Sequence, residues 1–429
     1  MEIHIVKSGE TIEEIAERYG LTILKIIQDN GLEDPDSLVP GQSIVISYPE
    51  KIYTVQDGDT IQEIANKNDL SVLQILRNNP FLSDREYIFP GETLVLNYDN
   101  TKGKMTVGGF AYPYIDDKTL AKTLPYLTYL TIFNYTISSD GEVISYYDDS
   151  KLIQTCKSYG VAPLMLLTTL TTRGLPNIEA AYDILSHEDA IDEYVTIILN
   201  LVVSKGYYGI NVSFQYLNTS NENLYITLLN KISAKSNDLG YPLYVTINPN
   251  KTIIGNKIVF EPVDYSDFNN FAETISFLTY QFGYNFGPPA PVGSIQDIQM
   301  LLDHVLDFIS PEKINVGFPT FGYDWELPYI AGFSRASSLS FDSIHYLARS
   351  LGEIIEFDEA SKTPFIRYTE ATSERHHIIW FIDARSINFL LDLIIEDGLR
   401  GTGIWNIMKY YQQIWTIINT QYEIEKIIF

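Results

Sequence analysis

The sequence predicts an α/β protein, in which two small βααβ modules precede a (β/α)₈ barrel that carries a small α+β insertion. The first observation is an internal repeat, because one pattern of residues occurs twice before residue 100. The second is that the remaining residues alternate strand-like apolar runs with amphipathic helical stretches, over a length typical of one barrel. The third is a late group of short apolar runs separated by polar turns, which indicates antiparallel strands.

The repeat defines the first two modules. It aligns residues 4–16 with residues 53–65 and continues as far as the Pro-Gly pair near the end of each copy. Each copy reads as strand, helix, helix, strand, and the Pro-Gly pair turns the chain into the closing strand. We therefore predict one module over residues 1–49 and a second over residues 50–99.

Each module has a clear start signal for its first helix. Thr11 and Thr60 follow the first strand and are suited to cap a helix amino terminus. Glu14 and Glu63 lie three residues further on, which is the spacing of a capping box.

Both repeats resemble LysM modules, over residues 2–48 and 51–98. The resemblance implies binding of glycans that contain N-acetylglucosamine, such as peptidoglycan or chitin. The alternative is a purely structural pair, because glycine and threonine are also what a strand-to-helix turn requires. The residues that match the binding loops of the family are Gly9, Glu10, Thr11, Asn30, Gly58, Asp59, Thr60 and Asn79.

The barrel is predicted over residues 104–429, after a short polar linker. A long gap separates its last two strands, and the α+β insertion is expected there, over about residues 323–381. The predicted barrel strands are 105–112, 127–134, 161–168, 208–215, 241–247, 274–280, 313–319 and 402–406.

The fourth predicted barrel strand contains the candidate site. Along residues 208–215 apolar and polar side chains alternate, so that one set faces the helices and the other faces the barrel axis. The polar set is Asn211, Ser213 and Gln215. Polar groups near the carboxyl end of a barrel strand are costly to bury unless paired, and active sites lie at that end. The alternative is a hydrogen-bonded polar core.

Segments throughout the barrel resemble glycoside hydrolase family 18, which implies a TIM barrel. The whole chain is similar to spore cortex-lytic enzymes, which join two LysM modules to such a barrel. The resemblance implies hydrolysis of N-acetylglucosamine glycans by a retaining mechanism in which the acetamido group of the substrate is the nucleophile. The matching segments are 109–113, 127–133, 278–284, 317–325, 380–386 and 403–405.

The acidic residues of the family motif DxxDxDxE on strand 4 are replaced in this chain. Gln215 stands where the family has its general acid, and Ser213 stands where an Asp orients the acetamido nucleophile. The other positions are also neutral. These are Tyr208 and Asn211 of the same motif, and Gln281, where relatives have an acid on strand 6.

These replacements predict an inactive barrel. A glutamine amide can donate a hydrogen bond to the glycosidic oxygen but cannot deliver a proton near neutral pH. Loss of a positioned general acid costs roughly 10²–10⁴ in rate. The alternative is rescue by Asp324 or Asp383, which match family positions near the cleft although neither lies on strand 4.

An aromatic platform for sugars is nevertheless expected to remain. By resemblance, Trp405 forms the floor under the N-acetyl sugar and Tyr280 contacts the acetamido carbonyl. Aromatic faces and neutral amides bind sugars without turnover, whereas the alternative is that these aromatics belong to the core. The predicted sugar-binding cleft consists of Tyr112, Phe133, Gln215, Tyr280, Gln281, Tyr323, Asp324, Trp325 and Trp405.

Composition excludes several other classes of protein. The 55 acidic and 29 basic residues give a net charge of −26, which disfavours nucleic acid and anionic membranes as partners. The one cysteine, Cys156, excludes an internal disulfide, and the six scattered histidines predict no metal site. No cofactor is predicted. The amino terminus lacks the pattern of a signal peptide, and the apolar stretch 378–395 is too charged to span a bilayer.

Three functions follow from these observations. The first is a peptidoglycan-binding protein of the bacterial spore with an inactive barrel, made in the cytoplasm and located in the spore coat, cortex or exosporium. The second is an active N-acetylglucosaminidase that hydrolyses cortex fragments. The third is a structural protein that assembles with other spore-layer proteins and binds no sugar.

Overall fold

The computed structural model describes residues 1–85, 87–137, 142–168, 187–213, 217–254, 257–279, 286–370, 374–427 and 429. Each of the two modules at the amino terminus pairs two antiparallel strands and packs two helices on them. The first module contains strands β1 (Glu2–Ile5) and β2 (Ser43–Ile46) and helices α1 (Ile12–Tyr19) and α2 (Ile23–Asn30). The second contains β3 (Lys51–Thr54), β4 (Thr93–Asn97), α3 (Ile61–Lys67), α4 (Val72–Asn78) and the 3₁₀ helix Pro80–Asp84.

The capping signals act as the sequence predicts, with one difference. Thr11 Oγ1 accepts the Glu14 backbone N–H at 3.3 Å, and the Glu14 carboxylate accepts the Thr11 N–H at 3.1 Å, which completes the capping box. Thr60 accepts the Glu63 N–H at 3.2 Å, whereas the return bond from Thr60 to the Glu63 carboxylate is missing among the described contacts.

The carboxyl-terminal part of the chain forms a closed barrel of parallel strands surrounded by helices, which confirms the predicted fold class. The first barrel strand, β5 (Lys104–Ala111), pairs with both the second and the last, and this double pairing closes the ring. Within the described residues the barrel strands are Lys104–Ala111 (β5), Tyr129–Ile137 (β6), Ala162–Thr168 (β8), Gly209–Ser213 (β9), Leu243–Ile247 (β10), Thr274–Phe277 (β13), Ile314–Pro319 (β14) and Gly401–Trp405 (β20).

The remaining described elements cover the barrel and its two ends. A short strand β7 (Val143–Ser145) extends the sheet beside β6, β11 (Lys251–Ile254) and β12 (Lys257–Phe260) form a hairpin, and β21 (Glu423–Ile424) pairs with the start of β5. The helices are Asp117–Thr123 (α5), Ser150–Ser158 (α6), Glu188–Lys205 (α7), Glu222–Asp238 (α8), Phe268–Phe271 (α9), Ile295–Val305 (α10), Phe341–Leu351 (α11), Ala384–Glu396 (α12) and Gln412–Gln421 (α13). None of the helices in the described part of the chain combines the length and apolar character needed to cross a bilayer.

The predicted α+β insertion is an antiparallel sheet between β14 and β20 that packs against α11. In the middle of this sheet, Tyr323 lies opposite Trp380 on the neighbouring strand, and Trp380 in turn lies opposite Phe365. Its described strands are Phe321–Leu327 (β15), Ser337–Ser340 (β16), Glu356–Asp358 (β17), Thr363–Thr369 (β18) and His376–Trp380 (β19).

One helix of the barrel, α13, holds the first module. The Gln413 amide donates to Asn30 Oδ1 at 2.8 Å and to the Ser43 carbonyl at 2.8 Å. Thr416 Oγ1 donates to the Asp29 carbonyl at 2.7 Å. Gln413 and Thr416 are both buried, so these bonds form in the interior of the molecule, where unpaired polar groups are costly.

The same helix also reaches the second module. Asn419 Nδ2 donates to Asn78 Oδ1 at 2.8 Å, and the Tyr126 hydroxyl, which packs on Trp415 of α13, donates to the Arg77 carbonyl at 2.5 Å. The modules are joined directly as well, since Lys25 Nζ lies 3.1 Å from the Tyr98 hydroxyl. The two modules and the barrel therefore form one continuous packed structure.

The Pro-Gly turns of the two modules have different surroundings. In module one, the Ile355 N–H donates to the Pro40 carbonyl at 2.9 Å, and a Cβ added at Gly41 would lie 2.0 Å from the Ile355 carbonyl oxygen. In module two, a Cβ at Gly91 would meet no atom within 4 Å. The backbone φ angles are nearly equal, +85° at Gly41 and +88° at Gly91, so the two positions differ only in their contacts.

This pair provides a test of module docking. We expect Gly91→Ala to lower the free energy of unfolding by about 1 kcal/mol, the cost of a side chain in the left-handed region. Gly41→Ala should lower the free energy of unfolding by roughly 1–3 kcal/mol more than Gly91→Ala, the range for overpacking, because the added Cβ would clash with the Ile355 carbonyl. Denaturant unfolding of both variants measures the difference, and equal losses would contradict tight docking of the first module.

A second test concerns Asn79, which joins α4 to β4. Its amide donates to the Ile75 and Val95 carbonyls at 2.8 and 2.7 Å and accepts the Val95 N–H at 2.8 Å. Asn79→Ala leaves buried backbone groups unpaired, so we expect a loss of about 2–3 kcal/mol in the free energy of unfolding. Asn66→Ala, at an exposed asparagine on α3, is the control and should change it by less than about 0.5 kcal/mol.

Candidate functional site

Asn211 of the fourth barrel strand faces the barrel axis, as the alternation predicts. Asn211 Nδ2 donates to Thr131 Oγ1 of β6 at 3.1 Å, and its Oδ1 accepts from Thr246 Oγ1 of β10 at 2.8 Å. Ile210 and Val212 belong to the outer apolar core that packs on the helices. The Asn211 amide is thus used within a polar layer of the barrel interior, which favours the structural interpretation at this position.

Ser213 is the last described residue of β9 and lies at the carboxyl end of the barrel. Its side chain is buried, and the residue pairs in register with Thr168 of β8. Three other predicted site residues, Gln215, Tyr280 and Gln281, lie outside the described residues.

Tyr208 lies at the opposite end of the barrel from Ser213. It packs on Tyr129, Leu164 and Tyr244 near the amino ends of the strands, and its ring centroid is 5.8 Å from that of Phe429. The structure therefore separates Tyr208 from the strand ends where a barrel site forms, because β9 runs through the full depth of the barrel between Tyr208 and Ser213.

The predicted aromatic residues of the cleft form two groups at the carboxyl end of the barrel. Tyr112 and Phe133, beyond β5 and within β6, have ring centroids 4.9 Å apart. Trp405 at the end of β20 packs with Tyr323 and Trp325 of the insertion. Tyr112 and Trp405 are half-buried, and burial raises the pKa of the Tyr112 phenol to about 12.

Three of these aromatics are buried and support the others. Trp325 is 1% exposed, and its indole N–H donates to the Gly287 carbonyl at 3.0 Å. Phe133 and Tyr323 are also buried. Tyr112 and Trp405 are the members of the predicted set, among described residues, that keep accessible ring surface for a sugar.

Asp324 lies on the other face of β15 from Tyr323 and Trp325. The Tyr368 hydroxyl donates to its Oδ2 at 2.8 Å, and His377 Nδ1 is 3.1 Å from its Oδ1. Neighbouring residues of a strand point to opposite faces. Its carboxylate contacts Tyr368 and His377, and its assignment to the cleft stays a prediction.

The carboxylate of Asp383 is likewise engaged by neighbouring groups. It caps α12 by accepting the Arg385 N–H at 2.9 Å, and its carboxylate is 2.7 Å from the Arg385 guanidinium. The same guanidinium donates to the Gly41 carbonyl of the first module at 3.2 Å. The carboxylates of Asp324 and Asp383 are thus both engaged by neighbouring side chains.

The buried carboxylate of Asp149 was not identified from the sequence. It accepts hydrogen bonds from the hydroxyls of Tyr207 at 2.5 Å and Tyr135 at 2.7 Å and lies 3.0 Å from Lys205 Nζ. Burial acts to raise its pKa, but these hydrogen bonds outweigh burial and hold the pKa below its ordinary value. The Asp-Asp-Ser run before α6 signals only a helix start, so its partners on β6 and α7 could not be read from the sequence.

The first set of LysM motif residues makes the turn between strand and helix. Gly9 and Gly58 have φ angles of +76° and +83°, which favour glycine. Glu10 accepts the Lys7 N–H at 2.9 Å, and Asp59 accepts the Gln56 N–H at 2.8 Å. Burial acts to raise the pKa of Glu10, but this backbone bond, His4 and Arg18 together lower it to about 2. Thr11 and Thr60 cap the helices that follow.

The two motif asparagines join the second helix of each module to its closing strand. Asn30, like Asn79, is buried, and its amide donates to the Ile26 and Val45 carbonyls at 2.9 and 2.8 Å. Its Oδ1 accepts the Val45 N–H at 2.7 Å. All eight predicted motif positions thus have a role in folding, and the side chains of Asn30 and Asn79 are buried.

Comparison with known proteins agrees with this architecture. Residues 176–409 match glycosyl hydrolases family 18, and residues 4–47 and 53–97 each match the LysM domain. The chain is similar to the cortical fragment-lytic enzyme of Bacillus subtilis, with 30% identity over 437 aligned residues and 100% of both chains covered. The cortical fragment-lytic enzyme of Bacillus anthracis is 28% identical, with 99% of each chain covered.

A solved structure extends the likeness to three dimensions. The spore cortex-lytic enzyme SleL of Bacillus megaterium superimposes with a TM-score of 0.79 at 29% identity, over 99% of each chain. The closed parallel barrel, the insertion before its last strand and the two amino-terminal modules all fall within this match. The chain is a member of glycosyl hydrolases family 18 that carries two LysM domains.

Proposed function

We propose that this protein binds peptidoglycan or a related N-acetylglucosamine glycan in the bacterial spore and that its barrel does not hydrolyse the glycan. One observation carries this proposal. The described barrel strands contain no aspartate and no glutamate, and Lys104 is their single charged residue. The chain segments that follow β9 and β13, residues 214–216 and 278–284, contain no acid in the sequence either.

Hydrolysis in this family needs an acid for the leaving oxygen and a group that stabilises the charged acetamido intermediate. Ser213 and Gln215 offer only neutral hydrogen bonds at the corresponding positions. Asp324 and Asp383 are held in contacts with Tyr368, His377 and Arg385, and hydrogen bonds keep Asp149 ionised. These three acids therefore give no route to proton transfer at the strand ends.

Glycan binding is supported by the aromatic residues at the strand ends and by the two LysM domains. Trp405 and Tyr112 present accessible aromatic surface at the strand ends, and aromatic faces bind the apolar faces of sugars. The two LysM domains point to the same class of glycan. The relatives named as cortex-lytic enzymes support a location in spore layers, where other spore-layer proteins are further candidate partners.

The names of these relatives also favour a second candidate, an active enzyme that hydrolyses cortex fragments. Reducing-end release from cortex fragments and chitooligosaccharides separates the two functions. We expect the wild type to release no more than the buffer control. The double variant Ser213→Asp/Gln215→Glu restores both carboxyl groups and should raise the rate at least about 10²-fold.

Ser213→Asn is the matched control, because it has the shape of aspartate without the charge and should leave the rate at the wild-type level. Turnover by the wild type well above the buffer control would contradict an inactive barrel and support the second candidate.

The sugar platform is tested by titration of the full chain with chitotetraose. Trp405→Ala should weaken binding about three- to tenfold, the range for loss of one aromatic stacking contact, and Trp405→Phe should recover most of the affinity. Tyr346→Ala, at an exposed aromatic of α11, should bind as the wild type does. Unchanged affinity in Trp405→Ala would show that chitotetraose binds elsewhere.

A further inference from the structure

A large cavity lies between the two LysM modules and the barrel helix α13. Its volume is about 820 Å³, within the range of roughly 300–1,000 Å³ that ligand sites occupy. Helix α2 of the first module forms one wall, and Arg77–Phe81 and Pro90–Thr93 of the second module form another. Gln412, Thr416 and Asn419 of α13 close the third side. We call this space the junction cavity.

The junction cavity has an apolar, accessible mouth and a polar floor. Leu24 of the first module is 62% exposed and Ile52 of the second is 58% exposed. Asp29, Tyr98 and Asn419, which also line the cavity, are buried. A ligand can therefore enter from solvent and reach buried polar groups. A sugar needs such groups as hydrogen-bond partners.

Two lining residues have buried polar atoms without a partner among the described residues. Asn419 is 4% exposed, and its Oδ1 accepts no hydrogen bond although its Nδ2 is bonded to Asn78. Arg77 Nε is a buried donor with no acceptor. Unpaired buried groups are unfavourable, so a ligand that offers both donors and acceptors would be stabilised here.

The charges that line the junction cavity favour an anion. Lys25 Nζ is 2.5 Å from the Asp29 carboxylate, and Glu92 is 2.7 Å from the Arg85 guanidinium, so these charges are compensated. Within the described residues, Arg77 has no carboxylate at ion-pair distance, and the carboxylate whose charge acts on it, Glu423, lies beyond that distance. Arginine pairs with carboxylates through two parallel hydrogen bonds, which makes a carboxylate the fitting partner for this guanidinium.

We propose that the junction cavity binds an amino-sugar oligosaccharide that carries a carboxylate, with Arg77 at the carboxylate and Asn419 at a sugar hydroxyl or amide. This inference rests on the proposed glycan-binding function. It adds a binding site to that function, and it specifies a ligand with a carboxylate, which neutral chitin lacks. The LysM motif agrees with it, since its side chains are bonded within the modules, and one of them, Asn79, forms part of the wall of the junction cavity.

The test is calorimetric titration of the full chain with two probes, a muropeptide tetrasaccharide from digested cortex peptidoglycan and neutral chitotetraose. Arg77→Met removes the guanidinium and keeps the length of the side chain, so muropeptide affinity should fall at least about tenfold. Thr93→Glu places a negative charge on an exposed position of the cavity wall and should weaken muropeptide binding as well. Chitotetraose affinity should change by less than about twofold in both variants.

The matched control is Arg375→Met, which removes the same charge from the exposed insertion, 2.7 Å from Glu326, and should leave both affinities unchanged. Wild-type muropeptide affinity in both Arg77→Met and Thr93→Glu would overturn the junction site and leave the proposed function intact. A wild-type chain that binds neither probe would overturn both. Because Thr93 is exposed on β4, its variant keeps the test valid if Arg77→Met proves poorly folded.

Discussion

Helix α13 fixes the geometry of the whole molecule, because its buried polar side chains bond to both modules. Gln413 and Thr416 bond to the first module, and Asn419 bonds to the second. Buried amides and hydroxyls must be paired, so these contacts allow one arrangement of modules and barrel and disfavour others. The junction cavity exists because α13 spans the gap between modules that contact each other through Lys25 and Tyr98.

The barrel and the modules could be predicted from the sequence, because each rests on local patterns. Runs such as Ala162–Thr168 and Leu243–Ile247 are apolar enough to be buried on both faces, and the repeat fixes the modules independently. The strand ends were less exact. Residues 241–247 are predicted as one strand, whereas the strand is Leu243–Ile247.

The candidate site was less predictable, because it depends on which face a side chain takes in the folded chain. Tyr323, Asp324 and Trp325 are all predicted in the cleft, although consecutive strand residues point to opposite faces and the Asp324 carboxylate contacts Tyr368 and His377. Asn30 and Asn79 carry a family pattern that reads equally well as a binding loop or as a bond between helix and strand. Arg77 and Asn419 are more than 300 residues apart in the chain and carry no motif, so only the packed structure brings them to one cavity.

The docking of the Pro40–Gly41 turn onto the insertion has a consequence for how the protein meets an extended polymer. A module on a flexible linker lets its partner domain sample a sphere of positions, with an effective concentration set by the linker length. Here the turn, Arg385 and α13 remove that freedom. A polymer held by the modules would therefore pass the barrel mouth at one fixed offset and in one direction. The spacing of units along the polymer would then decide whether the modules and the barrel mouth can bind it at the same time.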